Sequence, residues 1–229
     1  KVTNMNKELN RKYAKLLVEC GVNLQENQGL VVNANIEAVE LVREIVKAAY
    51  ERKTAGVMIN WTDSEIQKTV LQNATEEQLY IEEYQIVKQH YIVDNNYAKL
   101  SISSPKPGFM AGVDMTNSNR AQMHNAPLIK FVMEHTMNNH VQWCVAAYPN
   151  VTWAKKVFPD LSNEEALEKL YYAILDASHV TIDNNPLEEW NIINEDMTKR
   201  NEKLNELNFV SLHFKNELGT DLEVGLVEN

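Results

Sequence analysis

Six histidines, two cysteines and several acidic pairs are the side chains in this sequence from which hydrolytic or metal chemistry would be built. Only Glu134-His135 with His140 approaches a ligand spacing. A zincin site sets two histidines four residues apart on a helix, so that both imidazoles meet one metal while a glutamate between them activates its water. Here the histidines are five residues apart, Glu134 lies outside them, and an apolar run begins at Val141. The stretch reads as a surface helix ending in polar residues. His90, His124, His179 and His213 are isolated in sequence, and a lone histidine is more often packed or solvated than a ligand or base. Side chains of the pairs Glu76-Glu77, Glu82-Glu83, Glu164-Glu165 and Glu188-Glu189 would point about a hundred degrees apart on a helix, so they form no shared carboxylate site. They read as solvated faces and as compensation of helix N-termini. No G-x-S-x-G elbow is present to expose a serine nucleophile. Cys20 and Cys144 show no C-x-x-C spacing, which argues against a zinc knuckle or disulfide framework and fits free thiols in a reducing cytoplasm. The residues alone assign no catalytic or metal-ligating position.

The chain has 229 residues, 44% of them apolar, enough for one large domain or one domain and part of another. A net charge of −10 argues against a nucleic-acid surface, which concentrates Lys and Arg on one face. No apolar run is long enough to cross a bilayer, and the start, KVTNMNKELNRK, lacks a signal-peptide core. The expectation is a soluble, cytoplasmic protein with neither nucleic acid nor membrane as partner.

The elements that would position these residues follow from periodicity. Leu9, Tyr13, Leu16, Leu17 and Cys20 predict a first helix ended by Gly21. Leu30-Val31-Val32, a periodic segment with Val39, Val42, Ile45, Val46 and Ala49, and Val57-Met58-Ile59 form a β-α-β unit, hence parallel strands and a right-handed crossover. The first strand runs into Asn33-Ala34-Asn35-Ile36 and not into the glycine-rich turn that lets a backbone approach a pyrophosphate, so a nucleotide site is not expected. Capping boxes at Thr62-Asp63-Ser64-Glu65, Thr75-Glu76-Glu77-Gln78 and Ser162-Asn163-Glu164-Glu165 predict three helix starts. The last opens a helix with the stripe Ala166, Leu167, Leu170, Tyr171, Ile174 and Leu175, which leads into Val180-Thr181-Ile182. Val141 to Ala147 reads as a strand covered on both faces, near the sheet centre. The polar, Pro- and Gly-containing stretch from Ser101 to Met123 reads as a connection. Trp61, Trp143, Trp153 and Trp190 read as core or interface anchors.

After Pro186 the organisation changes to a long charged helix with Leu187, Trp190, Ile193, Met197 and Leu204, followed by two strands at Phe209 to Phe214 and Leu222 to Leu226. The predicted fold is an α/β domain over residues 1–183, a parallel sheet with helices on both faces. Residues 184–229 then form a connector helix and the first strands of a second, truncated domain.

Several segments together resemble the aminopeptidase T and aminopeptidase S family of metallo-aminopeptidases. They are Tyr13-Ala14 with Gly21-Val22-Asn23-Leu24-Gln25, Trp153-Ala154-Lys155-Lys156-Val157-Phe158-Pro159, Asp183-Asn184-Asn185-Pro186 with Trp190, and Gly219-Thr220-Asp221-Leu222. Their order and spacing carry the likeness, which covers essentially the whole chain. The resemblance implies a two-domain cytoplasmic exopeptidase, often dimeric, that hydrolyses N-terminal residues from peptides with a water activated by two divalent ions, zinc or cobalt. The family's Glu, His, Asp and Tyr ligands begin in an acidic segment beyond the Gly-Thr-Asp-Leu motif, and nothing in this sequence matches that segment. No ligand, catalytic or substrate-binding residue is carried over, and this chain alone is expected to be inactive and to bind no metal. The alternative is a stand-alone acidic α/β binding or interaction module. A fragment should show unpaired strands and an exposed apolar patch, and a finished module should not.

Overall fold

The spacing of Leu9, Tyr13, Leu16 and Leu17 produces helix α1 (Lys7–Leu16) in the computed structural model, which describes residues 6–227. The polar start of the chain, residues 1–5, lies outside the described residues. Asn6 caps α1, its Oδ1 accepting from the N–H groups of Glu8 (2.9 Å) and Leu9 (3.2 Å). One π-helical turn, Leu17–Gly21, follows and packs against a strand of the sheet. Gly21 permits that approach, because a Cβ there would sit 3.0 Å from Cys144 Sγ.

The β-α-β unit forms as β1 (Gly29–Asn35), α2 (Val39–Glu51) and β2 (Gly56–Thr62), with Leu30 paired to Val57 in parallel. After β2 come α3 (Ser64–Asn73), α4 (Glu83–Asp94) and β3 (Ala98–Ser103). Helices α5 (Thr116–Asn125) and α6 (Lys130–Met137) then lead to β4 (Trp143–Ala147). The four strands are parallel, in the order β2-β1-β3-β4.

Side chains alternate between the two faces of each strand. Val31 packs with Ile92 of α4, Tyr97 and Met58. Its neighbours Leu30 and Val32 point the opposite way and are fully buried, as are Leu41 and Ile45 of α2, which packs on β1. The opposed crossovers therefore cover both faces. Gly29 is required by packing: a Cβ there would lie 2.2 to 2.5 Å from atoms of the Tyr97 ring.

Helices α7 (Val151–Val157) and α8 (Asn163–Ala177) pack together through Ala154, Ala166 and Leu170, with Trp153, Phe158 and Leu161 around them. The Ser162 capping box forms in both directions, Ser162 N–H to Glu165 Oε2 (3.0 Å) and Glu165 N–H to Ser162 Oγ (3.3 Å). A buried network ties α1 to this part of the chain. Asn10 Nδ2 donates to Tyr148 Oη (3.3 Å) and Tyr171 Oη donates to Asn10 Oδ1 (2.9 Å). Burial pushes the Tyr148 hydroxyl up to about 12.

Four expectations need correction. β4 is not central but an edge strand, and Trp143 and Val145 are 47% and 62% exposed. An apolar run marks a strand but does not record which neighbours, if any, cover its faces. Thr62 does not cap α3: its hydroxyl donates to the Ala34 carbonyl (3.3 Å) within the sheet, and Asp63 Oδ1 caps the helix from Glu65 N–H (2.8 Å). The Thr75–Gln78 bonds form but start only a short 3₁₀ turn, Glu77–Leu79. The polar stretch Ser101–Met123 is a connection only between Ser103 and Thr116, since β3 and α5 take its ends.

Two compact units are present, one up to Leu187 and one from Glu188. The second holds most of α9 (Pro186–Leu207) and the antiparallel hairpin of β5 (Ser211–Lys215) and β6 (Asp221–Gly225). Leu212 pairs with Val224 and Phe214 with Leu222, so all four share one face of the hairpin, and each is more than a third exposed. The other face is polar, with His213 Nε2 2.5 Å from Asp221 Oδ1 and Ser211 Oγ 3.0 Å from Glu223 Oε1. Trp61 and Trp143 are exposed, contrary to a reading of them as core anchors, whereas Trp153 and Trp190 are partly buried.

Gly29→Ala is expected to destabilise the α/β unit by about 1–3 kcal/mol through overpacking against Tyr97. The check is the urea midpoint, with Tyr97→Leu in the same background expected to recover part of the loss.

Candidate functional site

The strand order places β1 beside β3 while their connections leave in opposite directions. This is the topological switch point at which open α/β sheets bind ligands, beyond the carboxyl ends of the strands. Here the chain itself fills that crevice. Asn35, the last residue of β1, accepts the N–H of Ser104 on Oδ1 (3.1 Å). Asn150, 6% exposed, shares its Nδ2 among Ser104 O (3.0 Å), Ser104 Oγ (2.9 Å) and Pro105 O (2.8 Å), while its Oδ1 caps α7 from Trp153 N–H (2.9 Å). Glu37 and Lys106 close the rim as an ion pair at 2.7 Å. The hydrogen bond to Glu37 pushes the Lys106 ammonium up, against the opposing effect of burial. The Phe109 ring lies under Lys68 and Lys106, 4.6 and 5.4 Å from their nitrogens. The β1–α2 turn, Ile36–Ala38, is a 3₁₀ turn without glycine.

A polar row crosses the sheet face that carries α4. Lys88 Nζ donates to Asn60 Oδ1 (2.5 Å), Asn60 Nδ2 to Asn33 Oδ1 (2.9 Å) and Asn33 Nδ2 to Ser101 Oγ (3.4 Å). Register explains the meeting, because Asn33 pairs with Asn60 on one side and Ser101 on the other. These groups spend much of their hydrogen-bonding capacity on one another. The row can hold a sheet face polar, but it brings no nucleophile next to a base.

The histidines do not form a metal centre. His135 and His140 stack with ring centroids 5.4 Å apart, and the cation beside them is Lys99, whose Nζ donates to Thr136 Oγ1 (2.9 Å). Burial lowers the pKa of Lys99. His135 is lowered too, by burial first and then by Lys99 and His140, with Asp94 opposing. An ammonium at this point repels a second cation, so the group does not fit a metal ion. His90 stacks on Phe131 (4.0 Å) and His124 on Tyr80 (3.8 Å). His179 occupies a left-handed position, φ 54°, just past α8. Among the described residues no group of three or more His, Cys, Asp or Glu side chains could hold a metal. Cys20 and Cys144 form no disulfide, and burial raises the pKa of Cys144.

Sequence reasoning missed Asn33, Asn60, Lys88 and Lys106. The available signal was an asparagine inside each of two otherwise apolar strands. Their partners lie 27 to 69 residues away and cannot be read from spacing.

An open, doubly wound α/β domain with a self-filled switch point is thus the class that the geometry defines. The family described as "Thermophilic metalloprotease (M29)" matches residues 6–229, and the chain belongs to it. It is 33% identical over 215 residues to "Aminopeptidase AmpS" of Bacillus subtilis, covering 93% of this chain and 52% of that protein. It is 31% identical over 220 residues to "Aminopeptidase T" of Thermus thermophilus, covering 95% and 53%. The structure of wild-type AmpT from Thermus thermophilus superposes with a TM-score of 0.84 at 30% identity, over 97% of this chain and 54% of that one. The chain therefore spans about half the length of the relatives it matches. Among the described residues no helix is long and apolar enough to cross a membrane.

The lowered pKa of His135 sets a direction for acid sensitivity. Its folded pKa lies below the ordinary value of about 6.5, so protonation favours the unfolded chain. Stability from this residue is fully present above about pH 6.5 and declines as pH falls below it. Urea midpoints across that range should drop less steeply for His135→Gln than for the wild-type chain.

Proposed function

We propose that this chain is the N-terminal part of a metal-dependent aminopeptidase that releases N-terminal residues from peptides. In this reading residues 1–183 form an α/β domain without catalytic groups, and residues 184–229 form a connector and the start of the catalytic domain. Two divalent ions, zinc or cobalt, would be held by residues outside this chain, in a cytoplasmic homodimer. The observation that carries the reading is the pairing of a family match over residues 6–229 with coverage of only 52 to 54% of the matched relatives. The two strands pair with each other and are not unpaired as expected of a fragment, but the exposed apolar face of the β5–β6 hairpin supports the reading, since an isolated two-stranded hairpin is marginal in water and needs a covering layer.

The donor set described above does not fit a metal, so no hydrolytic step is derived through these residues. Their contribution is shape. The clamp of Asn35, Ser104 and Asn150 and the Glu37–Lys106 pair hold the carboxyl end of the sheet as a rigid wall, and such a wall would limit access to a neighbouring catalytic cavity to short peptides.

The deciding experiment measures bound metal and peptide hydrolysis for the 229-residue chain, titrated with zinc and with cobalt, beside a version extended to the length of its relatives. The extended protein is expected to bind metal stoichiometrically and cleave, and the short chain to do neither. Metal binding and turnover by the short chain would overturn the reading. Inactivity of both would favour an interaction module.

A further inference from the structure

Lys12 reaches out of α1 to a turn 169 to 172 residues further along the chain. Its ammonium donates to the backbone carbonyls of Thr181 (3.0 Å), Ile182 (2.5 Å) and Asn184 (2.8 Å). A lysine ammonium has three donors and no acceptor, so all three are spent on this one turn. Asn184 shapes the turn from within: its Oδ1 accepts the N–H of Thr181 (2.9 Å) and its Nδ2 donates to the carbonyl of His179 (2.7 Å). The left-handed residue His179 starts the turn, and Pro186 opens α9 two residues past Asn184. Proline is suited to that first helical position because its missing N–H would have had no helical partner.

Three carbonyl oxygens converged on one point repel one another unless a cation lies between them, and backbone carbonyls in such an array are what proteins use to replace an ion's hydration shell. The cation here is supplied covalently. A compact ammonium matches a point of convergence, whereas the planar fork of a guanidinium matches two parallel acceptors. The donors also come from α1, an element whose buried face is locked by Leu9, Tyr13 and Leu16. The cradle is thus held from the domain core and not by its own loop.

We propose that the carbonyls of Thr181, Ile182 and Asn184 form a binding site for a primary ammonium group, which Lys12 fills. Lys12 is thereby the positioning residue that fixes where the polypeptide leaves the α/β unit for α9. Any consequence for catalysis rests on the reading of this chain as part of an aminopeptidase, but the ammonium site does not.

The test is hydrogen exchange on the 229-residue chain, with no activity readout, so its failure is separable from failure of the functional reading. The reporters are the amides of Val180, bonded to Leu175 O, and Thr181, bonded to Asn184 Oδ1. Lys12→Met keeps the apolar stem and removes the charge. It should speed exchange at these amides about tenfold or more, as expected for loss of charge-assisted bonds, and leave β1 amides unchanged. Lys12→Ala removes the equivalent of n-propylammonium. Added n-propylammonium should restore slow exchange, and tetramethylammonium at equal ionic strength, which has no N–H, should not. Should Lys12→Ala fail to fold, recovery of folded signal in n-propylammonium but not in tetramethylammonium is the same readout. Unchanged exchange in Lys12→Met would overturn the positioning role. Absence of rescue, or equal rescue by both salts, would overturn the ammonium site.

Discussion

Strand β1 carries the constraint on which the rest of the α/β unit depends. It is paired on both edges, by β2 and by β3, and its residues Leu30, Val31, Val32 and Ala34 are buried on both faces. Such a strand can only be parallel to its neighbours if each connection crosses a face of the sheet, and the right-handed rule then sends α2 to one face and α4 to the other. The entry of Gly29 beneath the Tyr97 ring shows how little room the arrangement leaves.

From the same constraint comes the position of the switch point, and from the switch point the character of the domain. In ligand-binding relatives of this architecture the crevice between the first and third strands stays open. Here Ser104 and Asn150 are buried in it with their polar atoms satisfied by one another and by Asn35. Leaving one of those groups unpaired would cost roughly 1–3 kcal/mol, so the segment that fills the crevice is held there. The carboxyl end of this sheet is thus occupied by the chain's own polar groups, in a protein that spans about half the length of the relatives it matches.

The apolar residues that stay exposed on strands have a pattern. Trp143 and Val145 lie on an edge strand, and Leu212, Phe214, Leu222 and Val224 occupy one face of a hairpin whose other face is charged. Scattered exposure needs no account, but one-sided exposure on strands does, because a sheet face is stable only when another layer covers it.

Local pattern was enough for the sequence by itself to determine the β-α-β unit, α1, α8 with its capping box, and the existence of the last two strands, though not their pairing into a hairpin. In each, the period of the apolar residues or the chemistry of a cap acts within a few positions of the chain. The tertiary structure alone decided that β4 lies at an edge, that Thr62 bonds across the sheet instead of capping α3, and that Asn33, Asn60 and Lys88 meet in one row. It also decided that Lys12 closes on Thr181, Ile182 and Asn184. Those outcomes depend on strand order and on partners tens to hundreds of residues apart, and neither is encoded in the spacing of neighbours. The five-residue spacing of His135 and His140 was legible in the sequence, whereas the cation beside the two stacked rings became visible only when Lys99 of β3 was brought against α6.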